Sequence, residues 1–189
     1  MITRKAADGT GAEETIFRYT AGAPVNINDI TPDGKFLTFE SGGVILILPL
    51  AGGDPSTRQA IEFSREDYFT FGGRFSPDGR SLACLSTETD RTELYVRPFD
   101  PSTGKPVGET RWQLPKDGVS TIVGWREDGK ELYYRKGDMN DALTMSVDLT
   151  TAPGFQSGMP KFLFRGPNAG AARNISRDAQ RFIVVMPGR

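Results

Sequence analysis

The sequence has no histidine and one cysteine, Cys84. Without histidine the chain lacks the commonest general base and the commonest metal ligand. A single thiol leaves no intrachain disulfide to form. Zinc sites, Ser-His-Asp triads and Cys-His pairs are therefore excluded within this chain. Excess charge of either sign is missing too: 23 Lys and Arg stand against 24 Asp and Glu, a net of −1 with no block of like charges. That balance offers neither a nucleic-acid stripe nor a polybasic membrane patch. Long apolar runs are also absent. The longest, residues 44–50, is far short of the ~20 residues needed to cross a bilayer, and residues 1–9 carry no apolar signal-peptide core. The residues given predict a soluble chain without an export signal; they leave the compartment open.

What is present is an ordinary globular composition, 37% hydrophobic and 25% charged, sufficient to bury a core and exclude disorder. Self-comparison then finds a repeat. Thr31-Pro32-Asp33-Gly34, Ser76-Pro77-Asp78-Gly79, Arg126-Glu127-Asp128-Gly129 and Ser176-Arg177-Asp178-Ala179 align, with their aspartates 45, 50 and 50 residues apart. Three residues before each Asp lies a large apolar residue: Ile30, Phe75, Trp125 and Ile175. Four residues after it lie Leu37, Leu82, Leu132 and Phe182, and six after it Phe39, Cys84, Tyr134 and Val184. Apolar residues two apart, with polar ones at the second position after the Asp, mark a half-buried strand rather than a helix. A further strand precedes each motif. The motif between the two is turn chemistry: Pro presets φ, Asp bonds a nearby backbone N–H, and Gly accepts a positive φ. The four aspartates are accordingly turn-formers, not cation ligands.

After the second strand comes a third, at residues 44–48, 93–97 and 142–147. A more polar fourth follows at residues 58–63, 110–114 and 161–164. Four strands in 45 to 50 residues is the size of a propeller blade. The pattern apolar-x-Ser-Pro-Asp-Gly-Lys/Arg, followed by an alternating strand and a Leu-Tyr-Val-like strand, resembles the repeat of the TolB-like β-propellers. Residues 75–99 are its best copy. The resemblance spans essentially the whole chain, but the third copy has Arg126-Glu127 for Ser-Pro and the fourth has Ala179 for Gly.

The expected fold is all-β: a β-propeller of four-stranded antiparallel blades, about four blade equivalents, with one blade split between the termini. The expected division is a half blade over 1–20, blades over 24–64, 68–115 and 119–166, and a half blade over 171–187. Residues 1–9 align with a third strand and 14–18 with a fourth, while 173–175 and 181–185 supply a first and second. Joining them closes a ring and removes exposed edges. A homodimer completing a larger ring and a fragment of a longer chain stay open beside that closure.

No nucleotide-binding glycine motif and no nucleophile elbow occurs. The pairs Gly42-Gly43, Gly52-Gly53 and Gly72-Gly73 read as turns. Trp112 and Trp125, with Tyr95, Tyr133 and Tyr134, are aromatic residues of the kind that line a ligand mouth or a binding rim, but Trp125 occupies the repeat's apolar position and reads as inter-blade core; Trp112 is equally consistent with exposure and with packing. Two insertions, residues 100–109 and 150–160, are expected at one rim, where loops on a rigid scaffold carry recognition. The sequence nominates no catalytic, cofactor-binding or metal-binding residue and no cofactor, and the binding residues are unknown. The resemblance implies a non-catalytic module that binds a protein or peptide through rim loops, with no nucleic acid and no membrane insertion. The alternative is an accessory propeller of a prolyl-oligopeptidase-type peptidase or of a sensor kinase whose catalytic domain lies outside this chain. Residues 161–164 and 175–182 are similar to the C-terminal blades of propellers fused to bacterial kinases. A self-contained enzyme would instead need two carboxylates aimed at one cleft.

Overall fold

A computed structural model describes residues 1–184 except 20–21, 53, 56, 65–66, 115–117, 138–141, 152–153, 167–171 and 177, and leaves aside the side chains of 172–174 and 184. Arg177 of the fourth motif, Gly53, part of the second insertion, and the expected bounds at 20, 115, 171 and 187 lie outside the described residues. Every described element is a strand, so no helix among them is long and apolar enough to cross a membrane.

The strands form five antiparallel sheets in chain order. The first pairs β1 (Ile2–Arg4) with β2 (Glu14–Phe17). The first full blade runs β3 (Asn26–Ile30), β4 (Phe36–Ser41), β5 (Val44–Pro49) and β6 (Ile61–Glu62). In the second, β7 (Thr70–Phe75) pairs with β8 (Ser81–Ser86) and β8 with β9 (Glu93–Asp100); β9 also carries β10 (Lys105–Pro106) and β11 (Trp112–Gln113). The third repeats this plan with β12 (Val119–Trp125), β13 (Glu131–Lys136) and β14 (Leu143–Thr150), the last flanked by β15 (Gln156–Ser157) and β16 (Lys161–Arg165). The final sheet is β17 (Ala172–Ile175) with β18 (Phe182–Val184). The molecule is thus an all-β propeller of about four blade equivalents, in which no ladder joins β1 to β18 among the described residues.

Each repeated motif makes the turn between the first and second strands by the same device. Asp33, Asp78, Asp128 and Asp178 each turn one carboxylate oxygen back to accept the N–H two residues on, at 3.1, 3.0, 3.0 and 3.1 Å. The same oxygen accepts the hydroxyl of Thr31, Ser76 or Ser176. In the third copy Arg126 replaces that hydroxyl, and its guanidinium grips both oxygens of Asp128 at 2.8 and 2.9 Å. The residue after the Asp lies at φ +71°, +65° and +70° in Gly34, Gly79 and Gly129, and Ala179 is held at +56° in the fourth copy.

Strand alternation turns one face of each blade toward the preceding blade and the other toward the following one. Between the first and second blades the core contains Ile45, Ile47, Leu82 and Cys84, with Phe99 at its centre, its ring 5.5, 6.2 and 5.0 Å from those of Phe36, Phe63 and Phe75. Leu85, Leu94 and Val96 meet Ile122, Trp125, Leu132 and Tyr134 between the second and third. Each fully buried Leu or Ile of this kind contributes about 1.5–3 kcal/mol. Trp125, Tyr95 and Tyr134 are buried in these layers, and Tyr133 is buried between the third blade and the final sheet.

Two expectations need correction. Gly72-Gly73 is not a turn but lies inside β7, where the register slips between Phe71 and Arg74. Gly72 takes φ +70° in this bulge, and its N–H is accepted by Glu40 of the first blade at 2.7 Å. The second correction concerns the insertions. Both extend a third strand at its C-terminal end, on the side of the Asp turns, because β10 pairs with Phe99 and Asp100 and β15 with Leu149 and Thr150. They share a rim as expected, yet each folds back on the preceding blade. Gly104 sits so close to Phe36 and Ile61 that a Cβ would lie 2.6 Å from the Phe36 ring. Phe155 stacks on Trp112 at 4.4 Å and 5°. The insertions fasten blades together, which leaves less of them free for recognition.

Candidate functional site

The inner strands β3, β7, β12 and β17 bring residues from equivalent repeat positions around one opening. Four residues before the motif Asp stand Asp29, Arg74 and Gly124 in successive blades. With the turn residues Pro32, Pro77 and Glu127, and with Phe75, Val123, Trp125 and Ile175 below, they line a cavity of about 650 Å³. Its mouth opens on the side of the Asp turns and the two insertions.

The polar groups at this mouth are held in place by the strands themselves. Asp29 accepts the N–H of Ile30 at 2.9 Å through one oxygen and that of Phe75 at 2.9 Å through the other. Burial raises its pKa above the ordinary carboxylate value, opposed by these two N–H groups and by the Arg74 charge. Arg74 donates to the carbonyl of Asn28, and its own carbonyl accepts the indole N–H of Trp125 at 3.2 Å. Among the described residues no carboxylate forms an ion pair with Arg74 or hydrogen-bonds to it. Glu127, which stands where two other repeats have proline, is exposed. The cavity therefore brings the Arg74 cation together with the Asp29 and Glu127 carboxylates and the apolar side chains of Phe75, Val123, Trp125 and Ile175.

A second cavity, of about 670 Å³, lies between the first and second blades near Tyr68, Arg97 and Glu109. Here Arg111 lies over the rings of Tyr68 and Tyr95, at 5.7 and 5.1 Å, and pairs with Glu88 at 2.6 Å. The Tyr95 hydroxyl donates to the other Glu88 oxygen at 3.2 Å. Burial first, then the Glu88 charge, pushes the Tyr95 pKa up to about 12. Arg111 thus fills the aromatic and acidic surroundings that would otherwise recognise a cation, and the arrangement is structural.

The motif aspartates are spent on their own turns, as the sequence predicts. No group of three or more Cys, Asp or Glu able to hold a metal occurs among the described residues. Sequence reading placed Trp125 in the core, and it also forms part of the cavity floor. Asp29 and Arg74 were not singled out. Their signal is a position that the repeat brings to the cavity in each of the three full blades while its residue type changes each time.

No family model matches the sequence, and no curated protein matches it. Solved structures do resemble it. The putative TolB of Agrobacterium tumefaciens superposes with a TM-score of 0.65 at 22% identity, over 88% of this chain and 55% of that one. TolB of Acinetobacter baumannii gives a TM-score of 0.66 at 21% identity, over 96% of this chain and 41% of that one. A putative 6-phosphogluconolactonase of Bacteroides uniformis gives 0.61 at 15% identity, over 96% and 56%. The chain spans about half the length of these proteins. At such identities the likeness speaks for architecture alone, and together with the repeated Asp turns and antiparallel sheets it shows that the chain has a TolB-like β-propeller fold.

Proposed function

We propose that the chain is a non-catalytic binding module that receives a protein or peptide segment at the funnel mouth ringed by the Asp turns. The observation that carries this reading is Arg74, a guanidinium that donates to a backbone carbonyl and, among the described residues, forms no ion pair or hydrogen bond with a carboxylate, in a cavity it shares with Phe75, Trp125 and Ile175. An acidic side chain or a chain-terminal carboxylate pairs with such a group, while a neighbouring apolar residue fills the floor. The rigid strands that hold the mouth keep the ordering cost of binding low. This moves recognition from the insertions, which are packed onto neighbouring blades, to the turns and inner strands.

Selection of displayed random peptides on the whole chain tests the proposal, followed by titration of the recovered peptides against variants. Arg74→Ala is expected to weaken binding by roughly 10- to 100-fold, the range for a hydrogen bond to a charged group. Glu127→Lys, at an exposed site that the fold does not need, is expected to change which peptides bind. The remote Lys5→Glu should leave affinity as it is. Peptides that bind equally well to the Arg74 and Glu127 variants would place recognition elsewhere.

A further inference from the structure

The funnel cavity adjoins a second one on the side of the third blade. This outer cavity, of about 410 Å³, lies between the Asp turns of the second and third blades and reaches outward to Leu149, Thr150 and Thr151, where the second insertion begins. Pro77 and Glu127 line both cavities, one residue from each turn. The two cavities therefore meet at a lip made by these residues. Backbone holds that lip in place: a Cβ on Gly129 of the third turn would lie 3.8 Å from Cδ of Pro77 in the second.

The inner and outer parts differ in chemistry. Inside are the apolar side chains of Phe75, Val123, Trp125 and Ile175 with the Arg74 guanidinium. Asp29 does not take up that cation, because it directs its two oxygens to the N–H groups of Ile30 and Phe75. Outside are exposed polar groups of both kinds: Asp78 on the wall of the second turn, Lys130 on that of the third, and the hydroxyls of Thr150 and Thr151. Among the described residues Asp78, Glu127 and Lys130 form no ion pair.

An outer groove of donors and acceptors suits a peptide main chain, which carries one N–H and one C=O on each residue. An inner cavity with one cation among apolar walls suits a carboxylate next to an apolar side chain. A segment that runs through the mouth must both enter and leave it. A segment that ends at Arg74 needs one groove, and one adjoins the mouth.

We propose that this groove receives the free C-terminal end of a partner polypeptide. Its terminal carboxylate pairs with Arg74, and its last side chain lies among Phe75, Trp125 and Ile175. Its main chain crosses the lip between Pro77 and Glu127 and leaves past Thr150 and Thr151, with a basic residue of the partner beside Glu127. The inference rests on the funnel reading above and adds to it the kind of segment and its direction.

Two random peptide libraries selected on the full chain test it, one displayed with free C-termini and one with its C-termini joined to the carrier. Binders are expected from the first, with a basic residue close to an apolar last residue. Remade with a C-terminal amide, a recovered peptide is expected to lose roughly 10- to 100-fold in affinity, as for a lost hydrogen bond to a charged group. On Arg74→Ala the acid and the amide should bind alike. Thr151→Trp, at an exposed position of the outer groove, is expected to weaken the whole peptide and to spare a version shortened from its N-terminal end. The acid and amide are compared on the wild type, so that result does not depend on a variant folding. Equal binding of the two forms, with Arg74→Ala still weakening both, would overturn the C-terminal assignment and leave the funnel reading standing. A whole peptide indifferent to Thr151→Trp would overturn the path across the lip. Binding indifferent to Arg74→Ala would overturn the funnel reading and this inference with it.

Discussion

The carboxylate of Asp29 in β3 accepts the backbone N–H of Phe75 in β7 at 2.9 Å, so an acidic side chain fastens two successive inner strands. One interface further on, the Trp125 indole donates to the Arg74 carbonyl at 3.2 Å and does the same work. Both side chains reach into the preceding or following strand where no ladder runs, and both line the same cavity. The mouth is therefore built from the groups that set blade-to-blade spacing.

Asp29 gives the chain a pH signature. Burial raises its folded pKa, so the folded chain holds this proton more tightly than the unfolded one. The Asp29 contribution makes stability rise as pH falls from neutral through that folded pKa toward the ordinary value of 3.8. Asp33 and Asp100 act in the opposite sense: their pKa values are lowered to about 2, and their contributions are lost only as pH falls below the ordinary value. The gap in Tm between the wild type and Asp29→Asn is expected to widen in favour of the wild type from about pH 7 to about pH 4. A constant gap over that interval would show that Asp29 titrates as it does in the unfolded chain.

Local chemistry explains what the sequence revealed. The Ser-Pro-Asp-Gly turns are legible because every group that forms them, from the hydroxyl to the glycine, lies within five residues. The blade cores are legible because period-two alternation says which side chains turn inward. The bulge at Gly72-Gly73 is not, since its causes, Glu40 and Thr38, belong to another blade. The same holds for the insertions, whose loop-like composition gives no sign that Gly104 meets Phe36 or that Phe155 meets Trp112. The mouth stayed hidden for a further reason: a search for repetition passes over a position occupied in turn by Asp29, Arg74 and Gly124.

Ala179 occupies the left-handed turn position that glycine fills in the other three copies, at φ +56°. A Cβ there costs about 1–2 kcal/mol, and replacing Ala with Gly gives back about 0.4–1 kcal/mol to the unfolded chain. Ala179→Gly is expected to stabilise the fold by about 0.5–1 kcal/mol, read from the midpoint of chemical denaturation. The reverse change in a matched turn, Gly79→Ala, is expected to destabilise it by a similar amount. Loss of stability on Ala179→Gly would mean that the last turn does not impose the conformation of its counterparts.

Gly73 marks where the inner strand of the second blade approaches the first. A Cβ at this position would lie 2.9 Å from the Thr38 hydroxyl oxygen and 3.4 Å from its methyl carbon. Thr38 is fully buried, and its hydroxyl has no hydrogen-bond partner among the described residues. Gly73→Ala is therefore expected to cost about 1–3 kcal/mol, the usual range for overpacking. Thr38→Ala removes the clashing atoms together with an unsatisfied polar group, so the double variant should recover most of the loss. Additive losses in the two single variants and the double would show that Gly73 is needed for its backbone and not for its lack of a side chain.

Trp112 and Phe155 offer the most direct test of the insertions as fasteners. Their rings stack at 4.4 Å and 5°, and both are partly buried against the core between the second and third blades. Such a stack adds about 0.5–1.5 kcal/mol beyond the area it buries. Trp112→Ala and Phe155→Ala should each lower stability, and a double-mutant cycle should return a coupling of about 1 kcal/mol. Coupling near zero would mean that the second insertion merely rests on the blade. Binding selected at the funnel mouth should survive Phe155→Ala, because Phe155 holds the third blade against the second without lining the cavity.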